Sequence, residues 1–282
     1  AYPDFINDRF SSFSCVKPPV FGWTCEKLQS INPFFNNREV IEKLYHTVER
    51  NTRFWMEYRK ADGLFFYTHG NDSGWDNASV FDKGVPLEAP DLTAHLIRQA
   101  DSLASMAEKL GDKKAACEWH ERAQQWTGML LERLYDSNGF FARMQGEPLE
   151  CRSSLLLSLP IIVGDKLPDP AVKKLLDSLK NRFLTAFGLA TEELTSPHYR
   201  KDGYWLGPIW APVMYLVTDA LKKLGRFHLA KTYEQKFLSA IEKGGMAENF
   251  DPYTGCGNCD PAFAWTASVC LLYLRDFLDW NE

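Results

Sequence analysis

Apolar residues recur along most of the chain at the three- and four-residue spacing that places them on one face of a helix. The clearest example is the stretch 39–60, where Leu44, Val48 and Trp55 fall on one broad stripe. The pattern predicts about nine helices, which cover residues 20–30, 39–60, 91–110, 113–135, 153–160, 169–181, 208–224, 227–243 and 262–279. The fold is therefore predicted to be all-α.

The connections between these helices differ in length. Gly111 and Gly225 lie in tight links of the kind that joins antiparallel helical hairpins. The remaining long connections are rich in Gly, Asn, Asp and aromatic residues and cover 61–90, 139–151, 183–207 and 244–261. Long loops in a compact domain are usually functional. We therefore expect hairpins arranged in a ring, within one domain over residues 1–282.

Composition and charge exclude several classes of protein. The net charge is −5 with acidic and basic residues interspersed, so a nucleic-acid partner is not expected. The sequence contains no run of about 18 apolar residues, so no membrane span is predicted. The seven cysteines are odd in number and scattered, which favours free thiols in a reducing compartment. We expect a cytoplasmic protein, with a secreted chain that has lost its leader as the alternative.

The segment Asn71–Asn77 carries the first candidate for chemistry, in a stretch predicted to be neither helix nor strand. Asp76 lies there between Trp75 and Asn77. A carboxylic acid beside an aromatic wall can donate a proton near neutral pH. The alternative is an Asx-turn or a helix cap, the role of most loop aspartates.

A second carboxylate must work with Asp76 if the site performs acid–base chemistry. Glu248 is one candidate, 172 residues further along the chain, and a solvated loop carboxylate is the alternative. Glu192, in Ala190–Glu193, is its rival for the same role. The residues alone leave the choice between the two open.

Aromatic residues around turns provide the possible binding walls. The chain is 14 % aromatic, which sugar-stacking clefts or a large core would explain. Tyr204, Trp205 and Trp210 flank Gly207-Pro208, which we expect to lead into a helix with its proline near the first turn. Lys17–Trp23 is a second rigid turn opening a helix.

Other chemistries lack their motifs. The sequence has no Gly-rich phosphate loop or dinucleotide fingerprint and no Gly-x-Ser-x-Gly elbow. Cys256 and Cys259 have the spacing of half a zinc site, but no second pair of ligands completes it. We expect a loop with two thiols, and neither a metal nor an organic cofactor.

Seven segments, taken in order, resemble the mannosylglycerate-hydrolase-like branch of glycoside hydrolase family 63, to which processing α-glucosidase I and the trehalases are more distant relatives. They are Pro18–Trp23, Asn71–Asn77, Glu88–Leu92, Leu189–Glu192, Tyr204–Trp210, Glu248–Gly255 and Phe263–Ala267. The resemblance covers about residues 15 to 275. It implies an (α/α)6 barrel, the six-hairpin glycosidase fold, and inverting hydrolysis of an α-glycosidic bond in a small glucoside, a mannoside or a short α-glucan.

The resemblance also implies roles for individual residues. Asp76 would be the general acid and Glu248 the general base, standing about 6.5–9.5 Å apart as in inverting enzymes. The remaining residues of the site would contact the carbohydrate as walls or through its hydroxyl groups: Trp23, Trp75, Asn77, Asp91, Glu192, Tyr204, Trp205, Gly207, Trp210 and Trp265.

Two departures from the family pattern affect these expectations. Relatives often have Pro-Arg soon after the acid motif, where this chain has Ala78–Val80. The resemblance therefore does not predict which aglycone the substrate carries. A full barrel has twelve helices, whereas about nine are predicted here. We therefore expect the first helices to be lacking from this chain, with another chain or a missing segment completing the barrel and an apolar edge driving association. The alternative functions are a non-catalytic carbohydrate-binding or interaction protein on a partial barrel, or another barrel activity such as a lyase or phosphorylase.

Overall fold

Helices dominate the computed structural model, which describes residues 5–6, 8–12 and 15–278. The α-helices of this part of the chain are α1 Phe21–Ile31, α2 Arg38–Tyr58, α3 Gly70–Ser73, α4 Pro90–Leu110, α5 Lys113–Leu134, α6 Asp169–Ser178, α7 Ala211–Lys223, α8 Phe227–Gly244 and α9 Ala264–Leu278. Shorter 3-10 and π-helical segments occupy Pro33–Asn36, Ser79–Phe81, Leu155–Lys166 and Leu179–Phe183.

The strands are two residues long and pair antiparallel within the connections. They are β1 Phe5–Ile6, β2 Ser11–Ser12, β3 Lys60–Ala61, β4 Leu64–Phe65, β5 Leu87–Glu88, β6 Tyr135–Asp136, β7 Gly139–Phe140, β8 Arg143–Met144, β9 Glu147–Pro148, β10 Asn249–Phe250 and β11 Gly257–Asn258. The pairs are β1–β2, β3–β4, β6–β7 and β10–β11, and β5–β8–β9 form a three-stranded sheet. The long loops are thus tied together by short ladders.

Eight of the nine predicted helices are α-helical in the structure. The ninth, predicted over 153–160, lies in the 3-10 segment Leu155–Lys166, where Pro160 has no backbone N–H to donate. The prediction missed α3, a single turn that opens the Asp76 motif. Residue 279, the predicted end of the last helix, lies outside the described residues.

The predicted start of α7 at Pro208 is also wrong. Ile209 N–H donates to the Phe250 carbonyl at 2.8 Å, and Phe250 N–H donates back at 3.0 Å. This pairing keeps the chain extended through Trp210, so α7 begins at Ala211, and Pro212 takes the first-turn position instead.

The chain forms two compact units. Unit 1 comprises residues 1–76 and 83–150, and unit 2 comprises 77–82 and 151–282. The hairpin of α4 and α5 is the main element of unit 1. Gly111, with φ of 86°, ends α4, and the Asp112 carboxylate accepts the Ala115 N–H at 3.0 Å to begin α5. Sixteen of the 21 residues of α4 are buried, so this helix is the centre of its unit.

Unit 2 packs its three last helices on one another. The Lys222 ammonium of α7 pairs with Glu234 of α8 and with Asp276 of α9. Burial raises the pKa of the Glu234 carboxyl, and its hydrogen bond from Lys222 lowers it in part. The three helices therefore share one charged cluster, and removal of the ammonium would leave buried negative charge uncompensated.

Candidate active site

The Asp76 motif is a compact turn in unit 1. His69 Nδ1 accepts the Asn71 N–H at 3.0 Å and begins α3, and Gly74, with φ of 75°, ends it. The Ser73 hydroxyl donates to the Gly70 carbonyl at 2.6 Å and accepts the Trp75 N–H at 3.0 Å. These local hydrogen bonds fix the backbone that carries the next residue, Asp76.

The two aspartates of this motif have different surroundings. Asp72 is 1 % exposed, and its carboxylate accepts hydrogen bonds from Val16 N–H at 2.8 Å and from the N–H and hydroxyl of Thr68, both at 3.0 Å. Asp76 is partly exposed, and no side chain within the described ranges hydrogen-bonds its carboxyl group. Asp72 therefore holds the loop together, whereas the carboxyl group of Asp76 remains available.

Gly70 shows how tightly the Asp76 backbone is packed. A Cβ atom built at Gly70 would lie 2.1 Å from the carbonyl oxygen of Asp76 and 2.9 Å from its carbonyl carbon. Glycine is therefore required at position 70 by the close approach of the chain. Of the two tryptophans predicted as walls in this unit, Trp75 is buried and Trp23 is partly exposed.

Asp91 lies in the interior of unit 1, at the N-terminus of α4. The Tyr67 hydroxyl donates to its Oδ2 at 2.8 Å. Burial raises the pKa of the Asp91 carboxyl from about 3.8 to about 7. This geometry favours an internal role for Asp91 over the sugar contact expected from the motif.

His95, one turn further along α4, shifts in the opposite sense, because burial lowers the pKa of its imidazole from 6.5 to about 4. The folded state favours the protonated form of Asp91, so its contribution to stability is present below pH 4 and is lost as the pH rises through 7. The folded state favours neutral His95, so its contribution is present above pH 6.5 and is lost as the pH falls through 4. The contributions of Asp91 and His95 to folding stability therefore change in opposite directions between about pH 4 and 7.

Three of the predicted motifs lie side by side in unit 2. Ile209 pairs antiparallel with Phe250 on one side and with Ala190 on the other. Thr191 N–H also donates to the Gly207 carbonyl at 3.1 Å. Segments from three distant parts of the chain are thus joined by backbone hydrogen bonds.

The motif that contains Trp265 joins the same array. The Thr266 hydroxyl of α9 donates to the Ala247 carbonyl at 2.6 Å, and Phe263 N–H donates to the Met246 carbonyl at 2.7 Å. The rings of Trp265 and Trp210 lie 6.2 Å apart. The beginning of α9 is therefore fixed beside Glu248.

Asn77 connects its own segment to the same array. Its Nδ2 donates to the Gly203 carbonyl at 3.0 Å, and its Oδ1 accepts the Trp205 N–H at 3.0 Å. Both ends of the amide are therefore occupied by the backbone of one loop. This arrangement supports a positioning role for Asn77 in place of the expected sugar contact.

Glu192 is fully buried in unit 2. Its Oε2 accepts the Ser79 hydroxyl at 2.7 Å, and its Oε1 accepts the Ser196 hydroxyl at 2.6 Å. Such a carboxylate has no face open to a water or a sugar, which favours Glu248 as the base. Ser79 and Ser196 were missed by sequence reasoning, because a lone serine beside a motif carries no distinguishing pattern.

Gly207 has a steric role in the same array. Its φ is 146°, and an added Cβ would lie 2.6 Å from the ring of Tyr199. Its N–H donates to the Thr191 hydroxyl at 3.1 Å. A substrate contact is not needed to explain glycine at this position.

The aromatic residues of unit 2 form a stacked cluster. Trp205 and Trp210 lie face to face, with ring centroids 4.1 Å apart, and are only 3 % and 1 % exposed. Tyr204 packs edge-on against Trp210 at 4.9 Å. Trp265 is 49 % exposed. The buried pair therefore forms the interior of the cluster, while Tyr204 and Trp265 are its solvent-accessible members.

Glu248 directly precedes β10 and is partly exposed. Its N–H donates to the Asp260 carbonyl at 2.7 Å, and its Oε1 accepts the Tyr204 hydroxyl at 3.3 Å. The backbone of the residue is thus fixed while part of its carboxylate remains accessible. This is the arrangement that a general base needs.

The family model for the mannosylglycerate hydrolase MGH1-like glycoside hydrolase domain matches residues 8–266. The chain belongs to this family. A mannosylglycerate hydrolase of Thermus thermophilus is 30 % identical over 151 residues, which are 51 % of this chain and 36 % of that protein. In sequence alignment the chain spans only 18 to 36 % of the length of the curated mannosylglycerate hydrolases that it matches.

Two solved structures of glycoside hydrolases share the fold. The family 63 mannosylglycerate hydrolase from a second strain of Thermus thermophilus, in complex with Tris and D-glycerate, superposes with a TM-score of 0.82 at 22 % identity, over 95 % of this chain and 79 % of that one. The neutral trehalase Nth1 of Saccharomyces cerevisiae gives 0.77 at 14 %, over 93 % and 62 %. The predicted (α/α)6-barrel fold class and family are confirmed.

The structure also bears on the absences expected from the sequence. Within the described ranges, no group of three or more His, Cys, Asp and Glu side chains could hold a metal ion. No helix of that part is long and apolar enough to cross a membrane. The seven cysteines lie in the described part of the chain and none forms a disulfide, including Cys256 and Cys259 on either side of β11.

Proposed function

We propose that this protein is an inverting glycoside hydrolase that cleaves an α-glycosidic bond. Its substrate would be a small α-glucoside or α-mannoside, or a short α-glucan. The observation that carries the proposal is the convergence of the family motifs in unit 2, which brings Tyr204 of the aromatic cluster into hydrogen-bond contact with the partly exposed Glu248. Mannosylglycerate and its glucosyl counterpart are the first substrates to test, because the relatives are named for the former.

In the proposed mechanism Asp76 is the general acid and Glu248 the general base. Asp76 donates its proton to the leaving glycosidic oxygen. Glu248 takes a proton from the water that attacks the anomeric carbon from the opposite face, which inverts the configuration. The exposed surfaces of Trp265 and Tyr204 would pack against the sugar rings, with Trp23 and Trp75 as further wall candidates.

The non-catalytic alternative is less favoured, because a binding protein has no need to retain both an available carboxyl group and a partly exposed carboxylate beside an aromatic cluster. The proposal includes a single catalytic domain over residues 1–282, a cytoplasmic location, and completion of the barrel by a second chain or a further helical segment. Leu271 and Leu274, one turn apart on α9, are 69 % and 46 % exposed and are apolar side chains of the kind that such a partner would cover.

Hydrolysis of a panel of α-glucosides and α-mannosides tests the function. Proton NMR of the first-formed sugar should show the β-anomer, because inversion at an α-linked carbon produces it. An initial α-anomer would refute the inverting mechanism, and no turnover of any α-glycoside would refute the activity. The native mass, compared with that of a Leu271→Glu variant, tests the association.

A further inference from the structure

Tyr204 is the residue of the aromatic cluster whose polar group faces the proposed base. Its hydroxyl donates to Glu248 Oε1 at 3.3 Å. In the part of the chain that the structure describes, no other side chain donates to this carboxylate. The backbone of Glu248 is fixed by its hydrogen bond to the Asp260 carbonyl. The direction of its carboxylate therefore depends on Tyr204.

The conformation of Tyr204 indicates that its position is imposed by its neighbours. Its φ is 65°, in the left-handed region that a bulky non-glycine residue rarely adopts. Such strain persists only where the surrounding structure enforces it, and it is concentrated at functional sites. An observed outlier of this kind permits an inference about function.

Contacts to both the backbone and the ring of Tyr204 enforce this conformation. Trp210 Nε1 donates to the Tyr204 carbonyl at 2.9 Å, and the Asn77 amide holds the next backbone N–H, that of Trp205. The Tyr204 ring packs edge-on against Trp210 at an interplanar angle of 82°. Trp210 thus contacts both the backbone and the ring of Tyr204, and the hydroxyl donates to Glu248.

We propose that Tyr204 is a positioning residue that acts through Glu248, an inference that rests on the proposed function. Its hydroxyl fixes the plane of the carboxylate by holding Oε1 and leaves Oε2 to accept the proton of the attacking water. This role of the hydroxyl is additional to the sugar contact of the ring that was expected from the motif.

Tyr204→Phe isolates the hydroxyl, because it keeps the ring and its packing. In the full chain we expect kcat to fall roughly 10- to 100-fold, the loss expected for a hydrogen bond to a charged group, while KM changes less than about twofold. The fold-decrease in kcat should be equal for aryl glycosides with good and poor leaving groups, because the base acts on the water and not on the leaving group.

Tyr253→Phe is the matched control. Tyr253 follows Glu248 in the same loop, is exposed, and packs its ring edge-on against Tyr199. The variant should keep wild-type kcat, KM and pH profile. Thermal unfolding of both variants verifies that the fold is kept.

A double-mutant cycle tests whether Tyr204 acts through Glu248. In a Glu248→Gln background, Tyr204→Phe should cause no further loss of kcat, since the group on which it acts has been replaced. Additive losses, or a change in KM alone, would overturn the inference while the proposed function stands. A wild-type enzyme that hydrolyses no α-glycoside would overturn the proposed function and the inference together.

Discussion

Gly70→Ala should damage the proposed site without touching an ionisable group. Gly70 lies in α3, and its φ is outside the left-handed region, so alanine is acceptable to the backbone itself. The obstacle is contact, because the new Cβ would lie 2.1 Å from the Asp76 carbonyl oxygen. One methyl group therefore acts directly on the backbone of the proposed acid.

The size of the effect follows from this distance. The Asp76 carbonyl oxygen must move by more than 1 Å, because the distance to the new Cβ is 2.1 Å and ordinary van der Waals contact begins at 3.4 Å. Overpacking of this kind costs about 1–3 kcal/mol of folding free energy. A displacement of about 1 Å at a reacting group can lower the rate about 10²-fold. Gly70→Ala should thus lower both the Tm and kcat.

Gly128→Ala is the control for this prediction. Gly128 lies within α5, also in unit 1, and an added Cβ meets no atom within 4 Å. The same chemical change should stabilise the protein by about 0.5–1 kcal/mol, because alanine favours the helix. Its kcat should equal that of the wild type.

Thermal unfolding and steady-state hydrolysis of an aryl α-glycoside measure the two effects. A Gly70→Ala variant with wild-type Tm would refute the steric reasoning. A lower Tm with unchanged kcat would show that the loop relaxes without displacing Asp76, which would refute the link between this contact and catalysis. A destabilised Gly128→Ala would refute the use of helix propensity at the control position.

Asp76→Asn should abolish turnover and leave the Tm near that of the wild type, because it removes only the proton donor; wild-type rates on aryl α-glucosides would refute the acid assignment. Glu248→Gln should also lower turnover steeply, to a residual rate that can still be measured, with the fold intact. Glu192→Gln should instead lower the free energy of unfolding by about 1–3 kcal/mol, because it disturbs two buried hydrogen bonds, and loss of activity in this variant alone would make Glu192 the base. Asp91→Asn should raise the Tm more at pH 8 than at pH 4, because it removes a carboxyl whose pKa burial raises to about 7; equal changes at both pH values would refute the buried assignment. His95→Gln should raise the Tm most near pH 4, because it removes the cost of burying an imidazole that is charged in the unfolded chain.

Most helices could be predicted from the sequence because they present one apolar stripe to the interior. Helix α4 is buried over most of its surface, yet its leucines still follow the helical period. The errors occur where the hydrogen bonding of the backbone overrides the apolar pattern. Pro160 converts a predicted helix into a 3-10 segment, and the pairing of Ile209 with Phe250 delays the start of α7. No pattern around Ile209 reveals Phe250 as its backbone partner, because the two residues are far apart in the sequence.

The site was predictable as a set of motifs, and the family resemblance divided the roles among them, but the residues taken alone did not. Sequence alone makes Glu192 and Glu248 equivalent carboxylates beside small residues. Their difference arises from Ser79 and Ser196, which reach Glu192 only because the chain brings them there. Similarly, the contact of buried Asp91 with Tyr67 depends on tertiary packing, which the amino-acid composition does not reveal.

The acidic residues of the seven matched segments together argue for the proposed pair. Most of them are engaged by internal hydrogen bonds or ion pairs within their own unit: Asp72, Glu88, Asp91, Glu192 and Asp251. A carboxylate that is engaged in this way stabilises the loop that carries it and is a poor proton donor or acceptor for a substrate. Asp76 keeps an available carboxyl group, and Glu248 is held at one oxygen by Tyr204. An inverting hydrolase needs two available carboxyl groups, and these are the two that the internal contacts of the motifs leave for that role.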